Sequence, residues 1–173
     1  MRIILLGFLM FNILCADILA IHKRIIPISL LQVKNIAKKK DKVINLAIVV
    51  KDNEYLKAKE FQELLPTKIK SFRLNSKIIK DDKNLLSNLN NDNIDAIYVF
   101  YLNKESFKVV QDFSIKHSIA TFANRESYLD FGILLYIGKR KRIEIKLNKE
   151  IMKKAKVPFS SKFLSVTRIY NAK

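Results

Sequence analysis

Three glycines, three prolines, two histidines, one cysteine and no tryptophan occur in this chain of 173 residues. Each shortage excludes something. A phosphate-cradling loop needs several glycines close together, for tight turns and close backbone approach. Gly7, Gly132 and Gly138 form no such cluster, so P-loop and dinucleotide-binding readings fall. His22 and His117, with no HExxH spacing and no cysteine partners, make a poor metal set. The lone Cys15 lies in the N-terminal apolar stretch. A chain that starts after Ala16 therefore has no thiol for a disulfide, a redox switch or a metal.

What the sequence does have begins with MRIILLGFLMFNILCAD. Arg2 supplies a positive start, Ile3 to Leu14 an apolar run, and Ala16 a small residue at a plausible cut. The pattern predicts a signal peptide over residues 1–16 and one exported domain over 17–173. Leu14 sits where a small residue is preferred, and it is also a poor neighbour for lipid attachment at Cys15. The rival is an uncleaved anchor over Ile3 to Ile21, which Asn12 and Asp17 make costly. The hydrophobic fraction of 49% is ample for a packed core without disulfides.

Formal net charge is +17. Such a balance attracts anionic partners. However, lysine outnumbers arginine 26 to 7, alongside 24 isoleucines and 14 asparagines, the joint excess that AT-rich coding produces. Base reading and phosphate forks favour arginine, and export argues further against specific nucleic-acid binding. Two basic clusters stand out, Lys34 to Lys40 and Lys139-Arg140-Lys141-Arg142. The ordinary reading of each is a solvated turn. The second is the better candidate for partner binding, because a tight turn would project it.

Along the chain, Ile21 to Val33 has recurring apolar residues interrupted by Pro27, which predicts a short helix before or after that proline. Val43 to Val50 is a nearly continuous apolar run, expected of a strand covered on both faces. Asp52 or Asn53 is placed to cap a helix with Ala58, Phe61 and Leu65 on one side. A strand of uncertain limits falls within Lys68 to Lys80. Asp81-Asp82 then cap a short helix with Leu85, Leu86 and Leu89 inward. Ile94 to Tyr101 is the strongest strand, and Asn103 starts a helix with Phe107, Val110 and Phe113 inward. Ser118 to Asn124 returns as a strand. Gly132 to Ile137 and Ile143 to Leu147 are joined by a basic turn as a hairpin, with Ile143, Ile145 and Leu147 on the buried face. Asn148 caps a basic helix through Ala155. Alternating strands and helices predict a single α/β domain of three layers: a mostly parallel sheet flanked by helices, with a C-terminal β-hairpin and helices.

The stretch KVPFSSKFLSVTRIY, Lys156 to Tyr170, pairs a proline with two serines. A nucleophilic serine needs a base within reach and an oxyanion cradle, and no nucleophile-elbow glycines flank Ser160 or Ser161. Ser160 instead suits an N-cap, with Phe159 and Leu164 as a hydrophobic staple and Phe163, Val166 and Tyr170 as an inward stripe. Similarly, Asp81-Asp82 are read as helix caps rather than an acid–base pair. No catalytic residue, cofactor or metal is expected, and the chain is not read as an enzyme.

Tyr128-Leu129-Asp130-Phe131-Gly132-Ile133-Leu134-Leu135-Tyr136, then Arg142 to Asn148, then Ala155 and Pro158 to Leu164, resembles the YfiR-like family of periplasmic regulators. The signature rests on Gly132, Asn148, Phe159, Ser160, Ser161 and Leu164, with Phe159 and Phe163 standing where the family tends to have isoleucine and leucine. The likeness covers residues 120–170 well and 43–118 only in layout. It implies an α/β periplasmic domain that binds the sensor region of an inner-membrane signalling protein. That partner would be a diguanylate cyclase, whose repression lowers cyclic di-GMP and biofilm formation, or a histidine kinase; self-association as a homodimer stays open. Two departures matter: the mature chain lacks the cysteines many relatives carry, and the usual glycine pair is reduced to Phe131-Gly132. The alternative is a periplasmic solute-binding module feeding a transporter or receptor. Parallel sheets bind ligands beyond their strand carboxyl ends, here Val50-Lys51-Asp52 and Tyr101-Leu102-Asn103.

Overall fold

The computed structural model describes residues 18–139 and 141–171. The expected signal peptide or anchor lies outside the described residues, apart from the anchor's last few positions. Among the described residues no helix is long and apolar enough to cross a membrane.

Helix α1 occupies residues 18–30 and runs unbroken through Pro27, contrary to the interruption expected there. Proline removes one backbone donor and normally kinks a helix. Here Leu19, His22, Ile26 and Leu30 all dock in the core, and their burial outweighs that local cost. A short α2 (Lys34–Ala37) leads into β1 (Val43–Val50). In β1, Ile44, Leu46, Ile48 and Val50 enter one apolar cluster while Ala47 and Val49 enter the other. Both faces are covered, which is why the strand reads as continuous hydrophobicity rather than alternation. Each fully buried aliphatic side chain contributes roughly 1.5–3 kcal/mol.

After a one-turn 3-10 helix at Asp52–Glu54, α3 (Tyr55–Leu64) packs Ala58 and Phe61 inward. Neither Asp52 nor Asn53 caps it; position N-cap is Glu54, without a side-chain bond. The expected strand in residues 68–80 is a small hairpin, β2 (Lys68–Ile69) and β3 (Phe72–Lys80). Helix α4 (Leu85–Asn91) buries Leu85 and Leu89, but Leu86 is 51% exposed. β4 (Ala96–Val99), α5 (Lys104–His117) and β5 (Ala120–Ala123) follow as expected. The Asn103 side chain accepts from Ser106 N at 2.8 Å, satisfying one of the free donors of the first turn of α5. In a chain this poor in glycine, α5 ends with Ser118 in the left-handed region at φ 56°, where its turn returns Ile119 N to Ser114 O at 2.9 Å.

β6 (Leu135–Lys139) and β7 (Ile143–Asn148) form the expected antiparallel hairpin. They are followed by α6 (Lys149–Lys154), α7 (Ser161–Leu164) and a terminal strand β8 (Arg168–Tyr170). The sheet order is β2-β3-β1-β4-β5-β6-β7-β8. Every pairing from β3 to β6 is parallel, and the outer ones are antiparallel at β2–β3 and β6–β7 and parallel at β7–β8. The domain is thus a mostly parallel α/β sandwich, with α1, α3, α6 and α7 on one face and α4 and α5 on the other.

The core on the first face centres on an aromatic chain. Tyr98 is fully buried between Phe61 at 4.6 Å and Phe100 at 5.2 Å between ring centroids. Fully buried His22 binds it from α1, Nδ1 to the Tyr98 hydroxyl, while Nε2 lies 2.8 Å from Ile137 O. A carbonyl only accepts, so Nε2 carries the proton, Nδ1 is the acceptor and Tyr98 donates. Burial lowers the His22 pKa to about 4, against a smaller opposing effect of the Ile137 carbonyl.

Candidate functional site

The chain runs from β1 outward to β3 on one side, then crosses back to place β4 on the other. In doubly wound sheets the connections part at such a reversal and leave a crevice beyond the strand carboxyl ends. Here that end of the sheet carries the residues that follow β1, β3, β4 and β5. Lys51 leaves β1 and holds its ammonium 6.0 Å from the Tyr101 ring centre. Tyr101 leaves β4 and is 38% exposed. Arg125 leaves β5, with its guanidinium 5.5 Å from the Tyr101 ring and 5.9 Å from that of Tyr128. One exposed aromatic ring is therefore flanked by two cations, each attracted to the negative face of the ring.

The same end of the sheet carries polar atoms with unmet demand. Asp81 Oδ2, Asn124 Oδ1 and the Tyr128 hydroxyl are buried and have no hydrogen-bond partner in the structure. Each such atom costs about 1–3 kcal/mol unless something bonds to it. Asp81 follows β3, its backbone N donating to Val50 O at 2.8 Å. Its Oδ1 accepts from the Ser106 hydroxyl in the first turn of α5. The helix-capping role expected of Asp81-Asp82 is not borne out: the N-cap of α4 is Asn84, without a side-chain bond, Asp82 Oδ1 accepts from Asn84 N at 2.7 Å ahead of the helix, and Asp81 reaches across to the Ser106 hydroxyl. Tyr128 is 4% exposed. Burial raises its pKa above the ordinary phenol value, helped by Tyr101 and Glu54 and opposed by Arg125. It is thus a neutral donor at physiological pH.

This end of the sheet offers cations, a stacking ring, two acceptors and one neutral donor. It holds no histidine. His22 is in the core, and His117 ends α5 at the far end from Ser106, its ring 4.5 Å from Phe113. The Ser106 hydroxyl donates to the Asp81 carboxylate, and both histidines lie elsewhere. Among the described residues no group of three or more His, Cys, Asp or Glu side chains could hold a metal ion. A concavity of about 340 Å³ opens near the opposite, amino ends of β1 and β4. Among its polar lining residues Asn75 pairs with Asn45 at 3.1 Å and Lys77 with Asp92 at 2.8 Å, and none carries a buried side-chain atom without a partner.

The residues nominated by the tail signature do structural work. The Ser160 hydroxyl donates to Gln32 Oε1 at 2.6 Å and accepts from Phe163 N at 3.2 Å, which makes it the expected N-cap. Backbone bonds from Ser160 N to Gln32 O and from Lys34 N to Pro158 O sew the same segment to the end of α1. Phe159 stacks on Phe163 at 5.2 Å, with half-buried Leu164 at the edge of that cluster; Ser161 opens α7 at the surface. The expected inward stripe fails beyond this point. Helix α7 ends at Leu164, where the Ser165 and Thr167 hydroxyls bond back to Lys162 O and Leu164 O, and the chain then enters β8 at Arg168. Val166 is 66% exposed. Asn148 caps α6 through Ile151 N at 3.1 Å and also donates to Leu129 O at 3.0 Å. Gly132 has φ +85°, and a Cβ there would run into the Gln111 side chain.

In the basic hairpin, Lys139 ends β6 and Lys141 and Arg142 are exposed in the turn; Arg140 lies outside the described residues. Contrary to the expected alternation in β7, Ile143 is about half exposed and Glu144 is buried, the latter because Arg168 pairs with it at 2.8 Å. In the other basic cluster, Lys39 is fixed by Asp95 at 2.8 Å, a carboxylate that also accepts from Asn45 N.

No protein-family model matches the sequence, and no curated protein does either. Solved structures do match in fold. The ligand-free, open structure of CD0873, a substrate-binding protein with adhesive properties from Clostridium difficile, aligns with a TM-score of 0.59 and 14% identity over 75% of this chain. An ABC domain in complex with L-Trp from Streptococcus pneumonia aligns at 0.56 and 12% over 82%. A conserved domain protein from Vibrio cholerae aligns at 0.58 and 12% over 80%. The chain spans 55%, 62% and 58% of those three chains, respectively. At these identities the likeness concerns the fold.

Proposed function

We propose that this domain is a non-enzymatic binding module that works outside the cytoplasm and takes a small polar ligand in the crevice between β1 and β4. What supports this reading is that Asp81 Oδ2, Asn124 Oδ1 and the Tyr128 hydroxyl, all buried and unpartnered, belong to residues that follow β3 and β5 at the end of the sheet where Lys51 and Arg125 flank Tyr101. The ligand this chemistry fits has an anionic group for the two cations, hydrogen-bond donors for Asp81 and Asn124, and a flat or apolar part for Tyr101. Support from fold comes from neighbours described as a substrate-binding protein and as an ABC domain holding L-Trp. The N-terminal signal pattern supports the location.

Thermal-shift screening against amino acids and other small zwitterions tests it. A ligand present at about a hundred times its Kd adds about 2.7 kcal/mol to stability, or roughly 5–10 °C in Tm for a domain of this size. That shift is expected to vanish in Arg125→Ala. If nothing in the screen stabilises the protein, or if Arg125→Ala responds equally, the crevice reading is wrong.

A second reading, regulation by contact with the sensor region of a diguanylate cyclase or histidine kinase, is supported by the resemblance over residues 120–170 and by the exposed basic hairpin. Gene deletion followed by measurement of cyclic di-GMP checks its cyclase form; unchanged levels would count against it.

A further inference from the structure

The sheet ends on β8, whose outer side has no neighbouring strand among the described residues. Its two faces differ in chemistry. Arg168 is in register with Lys146 and pairs with Glu144, so it lies on the face of β7 that carries its charged side chains. Even in that pair its side chain is 60% exposed, and with Lys141, Arg142 and Glu144 it borders a groove of about 340 Å³. Ile169 is in register with Leu147 and lies on the apolar face, 50% exposed, with Val166 just before the strand more so. The edge thus presents unpaired backbone groups, a basic stripe on one side and an aliphatic stripe on the other. Natural sheets usually blunt such an edge.

We propose that the outer edge of β8 receives an extended segment of another protein, alternating acidic and aliphatic residues, as an added strand. Successive side chains of a strand point to opposite faces. A segment paired beside β8 would therefore set every second side chain against Arg168 and Arg142 and the others against Ile169. Main-chain bonds to the edge would give affinity, and the two stripes register and specificity. Charge complementarity selects this occupant over a second copy, whose own Arg168, Lys141 and Arg142 would face like charges. A lipid surface offers no backbone groups for the edge. The proposal uses surfaces apart from the crevice and does not depend on the ligand-binding reading.

The test is fluorescence anisotropy with a labelled peptide of alternating Glu and Val. The expected result is saturable binding that weakens with salt and falls at least about tenfold when Lys141→Glu and Arg142→Glu are combined. These are exposed turn positions, and circular dichroism checks that the variant folds. A peptide with Lys in place of Glu, and one with Pro in place of alternate Val, are both expected not to bind, while Arg125→Ala is expected to leave binding unchanged. The proposal is overturned if the Glu-Val peptide fails to bind, if the proline peptide binds equally, or if charge reversal has no effect. It is equally overturned if phosphatidylglycerol vesicles compete away the peptide, or if the protein dimerises through β8 and excludes it.

Discussion

Acidification is expected to loosen this domain through one buried imidazole. His22 is neutral in the folded state, with both ring nitrogens committed: Nε2–H to Ile137 O and Nδ1 accepting from Tyr98. Protonation would place a second donor against the Tyr98 hydroxyl and bury a charge among apolar side chains of α1, β4 and β6. The folded pKa of about 4 lies below the ordinary value of 6.5, so the unfolded chain binds the proton more readily. Stability from this group is therefore fully present above pH 6.5 and lost as pH falls toward 4. The whole effect is on the order of 3 kcal/mol, of which about 2 kcal/mol disappears between pH 7 and pH 5. For a domain of this size that is a drop of roughly 4–8 °C in Tm.

Urea or thermal unfolding at pH 7 and pH 5, on the wild type and on His22→Gln, isolates the contribution. The variant is expected to be less stable at pH 7, because the Tyr98 and Ile137 bonds are disturbed. It should also lose much less stability than the wild type on going to pH 5. Subtracting one pH dependence from the other removes every other titrating group common to both. Equal losses in the two proteins would refute the assignment of His22 as a buried neutral imidazole.

Other perturbations follow from single contacts. Gly132→Ala combines a positive φ with a Cβ pressed into Gln111, and a loss of about 1–3 kcal/mol is expected in urea denaturation; a neutral result would mean the loop adjusts freely. Ser160→Ala removes the α7 cap and the bond to Gln32, costing about 1–2 kcal/mol. A double-mutant cycle with Gln32→Ala should show coupling of at least about 0.5 kcal/mol, and strict additivity would deny that the two side chains work together.

The elements legible in the sequence were those whose cause is local. Val43 to Val50 could be assigned because burial on both faces leaves no polar interruption, and Asn103, Asn148 and Ser160 because a cap bonds only to the next turn. The failures involve long-range competition. Pro27 should break α1 on local grounds, yet four core contacts outweigh the lost hydrogen bond. Glu144 should face water, yet Arg168 arrives from a strand not foreseen at all. β8 was missed because its partner lies across α6 and α7, and a three-residue strand has too little pattern to stand out.

The candidate site was legible only in part, for a related reason. Lys51 and Tyr101 could be nominated because they follow the two clearest strands. Asp81, Asn124, Arg125 and Tyr128 follow β3 and β5, whose limits were less distinct, and nothing local sets them apart. What joins all six is the order of strands in the sheet. Once β1 is placed between β3 and β4, the residues after each strand are brought to one edge, although in sequence they are spread from position 51 to position 128. A rule that collects the residues after every strand of a parallel sheet would have recovered Asp81, Asn124 and Arg125 from the chain alone. Tyr128 would still escape it, because a buried phenol is declared only by the absence of a partner for its hydroxyl.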